Sequence, residues 1–244
     1  THFADADGVA GVAAQQADGK VVAGRTARFE TTGLVAWWKL DESKGTKVED
    51  ATGHQYTGNV VGRGNWAPKD GHIGGAMDFD GKSMLINCGR SPEFDFRDGM
   101  TASAWIKVRE FNKPYQAILT KGDTSWRLQR EKETGFVTFS LNTGAKVTRS
   151  DTNLVCLVSK RKVDDGQWHH VAGVVDGKRI ALYVDGELED SAEAKPIAQN
   201  SAPVMIGCNS TAYERRFNGW IDDVRLYGYG LSEAEVKALY RGDA

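Results

Sequence analysis

The chain has 244 residues and nearly balanced charge, with 31 Lys and Arg against 33 Asp and Glu. A protein that binds nucleic acid or an anionic membrane surface needs an excess of basic residues, so neither partner is expected. Hydrophobic residues make up 40% of the chain, as in a folded globular domain, and 28 glycines indicate many tight turns. No apolar run reaches the roughly 18 residues of a membrane-spanning helix, so no membrane insertion is expected.

Residues 1–30 differ in composition from the rest of the chain. Ala, Gly, Asp and Gln dominate there, and the only aromatic residues are Phe3 and Phe29. This composition predicts a linker or N-terminal extension over residues 1–30, followed by one domain over residues 31–244. The chain starts at Thr1 rather than Met, which favours a processed protein or one domain of a larger protein, whose other domains would be partners.

From Gly33 onward, short apolar or alternating runs follow one another between Gly, Asp and Asn turns. Runs of this length and pattern are typical of β-strands. The predicted strands before residue 160 are 34–40, 76–79, 84–87, 101–108, 117–120, 126–130, 136–141 and 154–159.

Residues 168–191 predict three further antiparallel strands in a meander. Asp176-Gly177 and Asp185-Gly186 lie between strand-like segments, and Asp-Gly supplies the positive φ angles of a type I′ turn. So many short strands, without strand–helix alternation, predict an all-β protein with two packed antiparallel sheets.

One short helix is predicted at the C-terminus. Ser232 and Glu235 have the spacing of a capping box, in which each side chain bonds the backbone N–H of the other residue. Val236, Leu239 and Tyr240 share one face of this helix, which should dock on the sheets.

The three cysteines, Cys88, Cys156 and Cys208, each lie in an apolar, strand-like segment. Such cysteines pack as small hydrophobic residues, so buried free thiols are expected. One disulfide between Cys88 and Cys208 remains the alternative.

Seven segments carry motifs that follow one another along most of the chain. They are GLVAWWKLDE (33–42), DATGHQYTGNV (50–60), GHIGGAMDFDG (71–81), MTASAWIKV (100–108), DDGQWHHVAGVVDG (164–177), ALYVDGEL (181–188) and GWIDDVRLYGYGLSEAEVKALY (219–240).

In this order, the motifs resemble the concanavalin A-like, laminin G-like (LamG-type, pentraxin-like) domains over about residues 33–241. The resemblance implies a jelly-roll sandwich, usually an extracellular or cell-surface accessory domain, often carbohydrate-binding and often with one calcium ion. The fold also carries adhesion domains and some enzymes, so the resemblance is more specific for fold than for function.

The resemblance also implies a structural calcium site. In similar domains the ion links the Asp-x-x-Gly turn to the C-terminal strand, with carboxylate and carbonyl oxygens as ligands. Carried over to this sequence, the ligands would be the side chains of Asp50 and Asp222 and the carbonyls of Gly53 and His54.

Strand alternation also makes a prediction about the burial of Asp222, independent of the resemblance. It predicts that Asp222 shares a face with Val224 and Leu226, which would turn the carboxylate toward the core. A buried carboxylate needs backbone donors, an Arg or a metal ion. The alternative is a hydrogen-bonded structural Asp222, with Asp50 capping its own turn.

The acidic residues give little support for catalysis. Glycosidases use paired carboxylates across a cleft. The nearest match, residues 93–98, has the sequence of a loop, and the acidic run 187–190 lies at the outer end of a hairpin. We therefore expect a non-enzymatic protein, with a glycan hydrolase or lyase as the second alternative.

Four residues in predicted loops are candidates for ligand binding: Tyr115, Arg149, Tyr213 and Arg215. Tyr rings stack on the apolar faces of sugars, and Arg donates hydrogen bonds to hydroxyls, carboxylates or sulfates. We expect a binding module that recognises a polysaccharide or cell-surface glycan through loops at the edge of a calcium-stabilised sandwich. The first alternative is a structural or adhesion domain of a larger cell-surface protein.

Overall fold

A computed structural model describes residues 33–143 and 154–243. These residues form two antiparallel β-sheets packed face to face and one short C-terminal helix, so the predicted all-β sandwich is confirmed. The linker predicted for residues 1–30 lies outside the described residues. Within the described ranges, no helix is long and apolar enough to cross a membrane.

The first sheet has eight strands among the described residues, all in antiparallel pairs. Strand β16 (Asn218–Tyr227) lies near its centre and pairs with β1 (Leu34–Trp38), β5 (Ala76–Asp80) and β7 (Met100–Val108). The other members are β4 (Asn65–Ala67), β12 (Trp168–Val175), β13 (Arg179–Val184) and β14 (Glu187–Glu193).

The second sheet also has eight described strands in antiparallel pairs. Near its middle lies the two-residue strand β15 (Met205–Ile206), between β6 (Leu85–Asn87) and β8 (Ala117–Thr120). The remaining strands are β2 (Lys47–Val48), β3 (Gly58–Val61), β9 (Trp126–Arg130), β10 (Val137–Asn142) and β11 (Leu154–Val158).

The main core lies between the sheets and contains alternate residues of their strands. Ala104 and Ile106 of β7 belong to it, together with Leu128 of β9 and Phe139 of β10. Trp105 lies between Ala104 and Ile106 in sequence and is not part of this core, because successive strand residues point to opposite faces.

The predicted meander is confirmed as β12, β13 and β14. Asp185 and Gly186 have φ angles of 52° and 76°, as the first and second central residues of a type I′ turn require. At the other turn the type I′ prediction is wrong. Only Gly177 there has a positive φ. Three residues, not two, connect β12 to β13, and the Asp176 N–H donates a hydrogen bond to the Arg179 carbonyl.

The predicted helix is α1 (Glu233–Arg241), and its capping box is confirmed. The Ser232 hydroxyl accepts from the Glu235 N–H at 3.3 Å, while the Glu235 carboxylate accepts from the Ser232 N–H at 2.7 Å. Val236 and Leu239 are buried against the outer face of the first sheet, so docking on that sheet is also confirmed.

The cysteine predictions need one correction. Cys88 and Cys208 are buried free thiols, and the alternative disulfide between them is not formed. Cys156, in contrast, is exposed. It lies on β11, an edge strand of the second sheet, where strand alternation does not guarantee burial.

Candidate ligand-binding cleft

A cleft of about 570 Å³ lies beside β6 and β15 of the second sheet. Asn87 of β6 and Met205 of β15 face each other across the strand pair and both line the cleft. Their neighbours Ile86 and Ile206 belong to the main core. Because side chains alternate along a strand, Asn87 and Met205 point outward, and the cleft lies on the outer face of this sheet.

Loops on both sides of β15 form most of the remaining wall, and their side chains are mainly hydroxyls and amides. Hydroxyl and amide groups donate and accept hydrogen bonds without carrying charge. The described lining residues are Asn87, Gly89, Arg90, Thr124, Asn200, Ser201, Ala202, Pro203, Met205, Ser210, Thr211 and Tyr213.

The loop before β15 is held in place by Asn200. Its amide donates to the Lys121 carbonyl at 2.8 Å and to the Thr124 hydroxyl at 3.0 Å. Its side-chain oxygen accepts from the Ala202 N–H at 3.0 Å. These bonds tie the loop to the β8–β9 turn, so this wall of the cleft is preorganised.

The loop after β15 is fixed by Asn209. The Asn209 side-chain oxygen accepts from the Thr211 N–H and hydroxyl at 3.0 and 2.9 Å. Its amide donates to Asp123 at 2.8 Å. The adjacent Ser210 hydroxyl oxygen is buried and has no hydrogen-bond partner among the described residues.

Tyr213 is the predicted ligand-binding residue that the structure places in the cleft. Its side chain belongs to the few exposed large hydrophobic residues, at 52% exposure. The Arg216 guanidinium lies 5.8 Å from the centre of its ring.

Tyr115 and Arg215 are not among the described residues that line this cleft. The Arg215 guanidinium lies 5.0 Å from the Tyr115 ring centre and donates to Asp123 at 2.7 Å. These contacts bring Tyr115 together with Arg215, which follows Tyr213 by two residues in sequence. Arg149 lies outside the described residues. The binding roles of Tyr115, Arg149 and Arg215 stay predictions.

Asp50, the first predicted calcium ligand, caps its own turn. One carboxylate oxygen accepts from the Trp37 and Thr52 N–H groups at 3.1 and 3.0 Å, and the other accepts from the Tyr56 N–H at 3.2 Å. The Thr52 hydroxyl bonds both oxygens at 2.8 Å. Within the same turn Gly53 has a φ of 84°, and the His54 ring contacts a backbone carbonyl of β1.

Asp222 is fully buried, but on a different face from the one predicted. A register shift follows it in the pairing of β16 with β7, and Asp223 has a φ of 47°. This bulge resets the alternation, so Ile221 and Val224 both reach the main core. Asp222 instead lies opposite Trp105, on the outer face of the first sheet.

The carboxylate of Asp222 is only partly satisfied there. One oxygen accepts from the Ile73 N–H at 2.8 Å, and the other has no hydrogen-bond partner among the described residues. Burial, reinforced by the nearby Asp223 and Asp41 carboxylates, raises the pKa of Asp222 to about 7.

The structure does not bring Asp50 and Asp222 together. Trp38 of β1 pairs with Asp50 on one side and with Val224 of β16 on the other, so the β1 strand separates the two segments. The backbones of the Asp50 segment and of β16 are therefore two strand spacings apart, which is about 10 Å. Over residues 33–143 and 154–243, no three His, Cys, Asp or Glu side chains converge on a possible metal position. The calcium ion itself stays a prediction.

The acidic runs considered for catalysis serve the fold. The Glu189 carboxylate accepts from the Lys160 and Arg161 N–H groups at 2.7 and 2.9 Å. In the other run, Asp95 forms an ion pair with Lys121 at 2.8 Å, next to a short 3₁₀ turn.

Sequence reasoning missed most of the cleft, including Asn87, Arg90, Asn200 and Ser210. The available signal was two polar segments, residues 87–92 and 199–203, each beside a short apolar run. Nothing in the sequence says that both segments meet beside the same two-residue strand.

These features define a concanavalin A-like β-sandwich with a polar cleft on one outer face. Residues 80–237 match the family model Laminin_G_3, described as the concanavalin A-like lectin/glucanases superfamily. The chain therefore belongs to that superfamily, as the sequence motifs predicted.

The solved structures that share the fold include two binding or accessory domains from bacterial proteins. The binding domain of Paraclostridial Mosquitocidal Protein 1 is 18% identical with a TM-score of 0.67, covering 87% of this chain and 53% of that one. Domain 4 of AbnA, a GH43 extracellular arabinanase from Geobacillus stearothermophilus solved with arabinotriose, is 20% identical with a TM-score of 0.64. That comparison covers 85% of this chain and 98% of the arabinanase domain.

Curated relatives are much longer than this chain. The adhesion G-protein coupled receptor V1 of Danio rerio is 26% identical over 152 residues, which are 59% of this chain and 2% of the receptor. Paraclostridial mosquitocidal protein 1 of Paraclostridium bifermentans is 21% identical over 174 residues, which are 66% of this chain and 14% of the toxin.

Proposed function

We propose that the chain is a non-catalytic binding module that recognises carbohydrate, as a polysaccharide or a cell-surface glycan, in the cleft beside β6 and β15. One observation carries this proposal: exposed Tyr213 lies at a preorganised cleft lined mainly by hydroxyl and amide side chains. Sugars present apolar C–H faces, which stack on aromatic rings, and hydroxyls, which pair with polar side chains.

The comparisons are consistent with this assignment. The arabinanase domain that shares the fold was solved in complex with arabinotriose. Its parent enzyme is extracellular, and another relative is an adhesion receptor. From these relatives we infer that this chain also has an extracellular or cell-surface location and lies beside other domains of a larger protein.

A binding role fits the charges of the cleft better than hydrolysis does. A glycosidase needs a pair of carboxylates across its substrate. None of the described residues that line the cleft is Asp or Glu. The acids Glu189 and Asp95 are engaged in structural contacts elsewhere.

The test is affinity electrophoresis of the full chain through gels that contain a panel of polysaccharides. Wild type and Tyr213→Phe should be retarded by the same polysaccharide, and Tyr213→Ala should migrate freely or nearly so. Equal retardation of all three proteins would remove Tyr213, and with it this cleft, from the binding site.

The same samples separate the alternatives. A reducing-sugar assay that detects released oligosaccharide would contradict the non-catalytic role and favour a hydrolase or lyase. No retardation by any polysaccharide, together with self-association in analytical ultracentrifugation, would favour the structural or adhesion domain.

We also propose that Asp222 holds a structural calcium ion, with Asp41 as the second carboxylate in place of Asp50. The fully buried Asp222 has one carboxylate oxygen without a partner, which fits a cation. The Asp41 carboxylate is among the charges that raise the pKa of Asp222. It accepts from the Gly75 N–H at 2.6 Å, in the same loop whose Ile73 N–H donates to Asp222. Asp50 does not fit, because hydrogen bonds already occupy both of its oxygens.

A further inference from the structure

We infer that the cleft selects acidic glycans and that Arg90 binds their anionic group, a carboxylate or a sulfate. This inference rests on the proposed function of the cleft and names the class of ligand. It is carried by the position of Arg90 and by the charges around it.

Arg90 lies where two cavities meet. It lines the large cleft and also a neighbouring cavity of about 170 Å³. The two cavities share Asn200, Ser201 and Ala202 as well, so they adjoin along the loop before β15, and we call the pair the groove. A chain of sugar units lying in this groove would pass the Arg90 side chain.

The charge of Arg90 is uncompensated within the groove. Among the described residues that line the large cleft, it is the one charged side chain. In the smaller cavity, Lys121 and Asp95 neutralise each other through an ion pair at 2.8 Å. Nearby Glu93 bonds the Ser91 hydroxyl instead of Arg90. The groove as a whole is therefore positive.

The backbone just before Arg90 is anchored, although the Arg90 side chain is exposed. The Gly89 carbonyl accepts from the Val204 N–H at 2.9 Å, and the Val204 carbonyl accepts from the Cys88 N–H at 3.0 Å. The Asn87 side chain holds the Gly89 N–H at 2.9 Å. The guanidinium is thus carried on a fixed base at the groove and has no ion pair or hydrogen bond among the described residues.

The chemistry of this arrangement favours an anion on an otherwise neutral sugar. A guanidinium offers two parallel N–H donors that match the two oxygens of a carboxylate or sulfate. The hydroxyl and amide walls bind the sugar hydroxyls, and Tyr213 offers a ring for stacking. A neutral glycan would keep these contacts and lose the charged one.

The experiment is a glycan array that carries uronic-acid, sialylated, sulfated and neutral glycans, probed with the full chain. The strongest signals should come from anionic glycans. Arg90→Gln should weaken them by about tenfold or more, as the loss of a charge-assisted hydrogen bond implies. Arg90→Lys should recover part of the binding, since it restores the charge without the bidentate geometry.

Arg63→Gln is the matched control, because Arg63 is exposed and lines neither cavity. It should bind like wild type. Neutral glycans as the strongest ligands, or anionic binding unchanged in Arg90→Gln, would overturn the inference while leaving the proposed function standing. Absence of any wild-type binding would contradict the proposed function, and the inference would fall with it.

Discussion

Two buried titratable residues flank Trp105 on the outer face of the first sheet. Asp222 lies opposite Trp105 on β16, and His170 lies opposite it on β12. Burial raises the pKa of Asp222 to about 7 and, with help from Arg225, lowers the pKa of His170 to about 3. Both groups are therefore held toward their neutral forms, and they respond to pH in opposite directions.

Asp222→Asn should make the protein more stable at alkaline pH when divalent cations are chelated. The pKa of Asp222 is higher in the folded than in the unfolded protein, so its stabilising contribution is present below about pH 4 and is lost as pH rises through about 7. An amide stays neutral throughout. In EDTA, the melting temperature of Asp222→Asn should exceed that of wild type at pH 8, and the difference should shrink steadily toward pH 4.

Added calcium should reverse this order at pH 8. Calcium should raise the melting temperature of wild type by several degrees, because it binds the folded state, and should leave Asp222→Asn unchanged. Asp50→Asn is the discriminating control, since it weakens a turn but should retain the calcium response. A wild type that melts identically in calcium and in EDTA would contradict the proposed ion.

His170→Gln should make the protein less sensitive to acid. The folded-state pKa of His170 is lowered, so its stabilising contribution is present above about pH 6.5 and is lost as pH falls toward 3. Arg225 and His72 oppose protonation of the ring, whereas Asp185 favours it. Thermal melts should show a smaller loss between pH 7 and pH 4 in the variant. An equal loss in both proteins would mean that His170 does not control this response.

At the scale of elements, the sequence predicted most strands but not the irregularities between them. Strict alternation along β16 placed Asp222, Val224 and Leu226 on one face. The bulge at Asp223 breaks this pattern, and the sequence has no Gly or Pro at this position that would have indicated a bulge. The predicted inward Asp222 was therefore correct in burial and wrong in face.

The cleft shows the same limit. Tyr213 could be predicted because an aromatic residue in a polar loop stands out in sequence. Asn87, Asn200 and Ser210 could not, because their convergence depends on β15 pairing between β6 and β8, and a strand of two residues has no periodicity. Contacts far apart in sequence decide this site.

The capping box is the element feature that the sequence predicted best, and it gives a direct stability test. Ser232→Ala removes the side-chain acceptor for the Glu235 N–H and should lower the free energy of unfolding by about 1 kcal/mol. Ser232→Asp keeps an acceptor and should cost much less. Urea denaturation measures both, and equal losses in the two variants would show that the cap contributes little.

At the scale of the whole molecule, the two outer faces carry different features. Helix α1 covers part of the outer face of the first sheet, where Leu239 packs with Tyr183 and Tyr227. The outer face of the second sheet carries the cleft. The main core lies between these faces, so the contacts that stabilise the helix and the proposed recognition in the cleft involve separate sets of residues.

This separation predicts that Leu239→Ala and Tyr213→Ala have opposite profiles. Leu239 is buried at 4% exposure, so its truncation should lower the free energy of unfolding by about 2–4 kcal/mol while leaving glycan affinity unchanged at a temperature where the variant is folded. Tyr213→Ala should weaken binding with little effect on stability. The double variant should show the sum of both effects, since the sites share no partners. Urea denaturation and affinity electrophoresis on all four proteins measure this, and loss of binding in folded Leu239→Ala would show that the two faces are coupled.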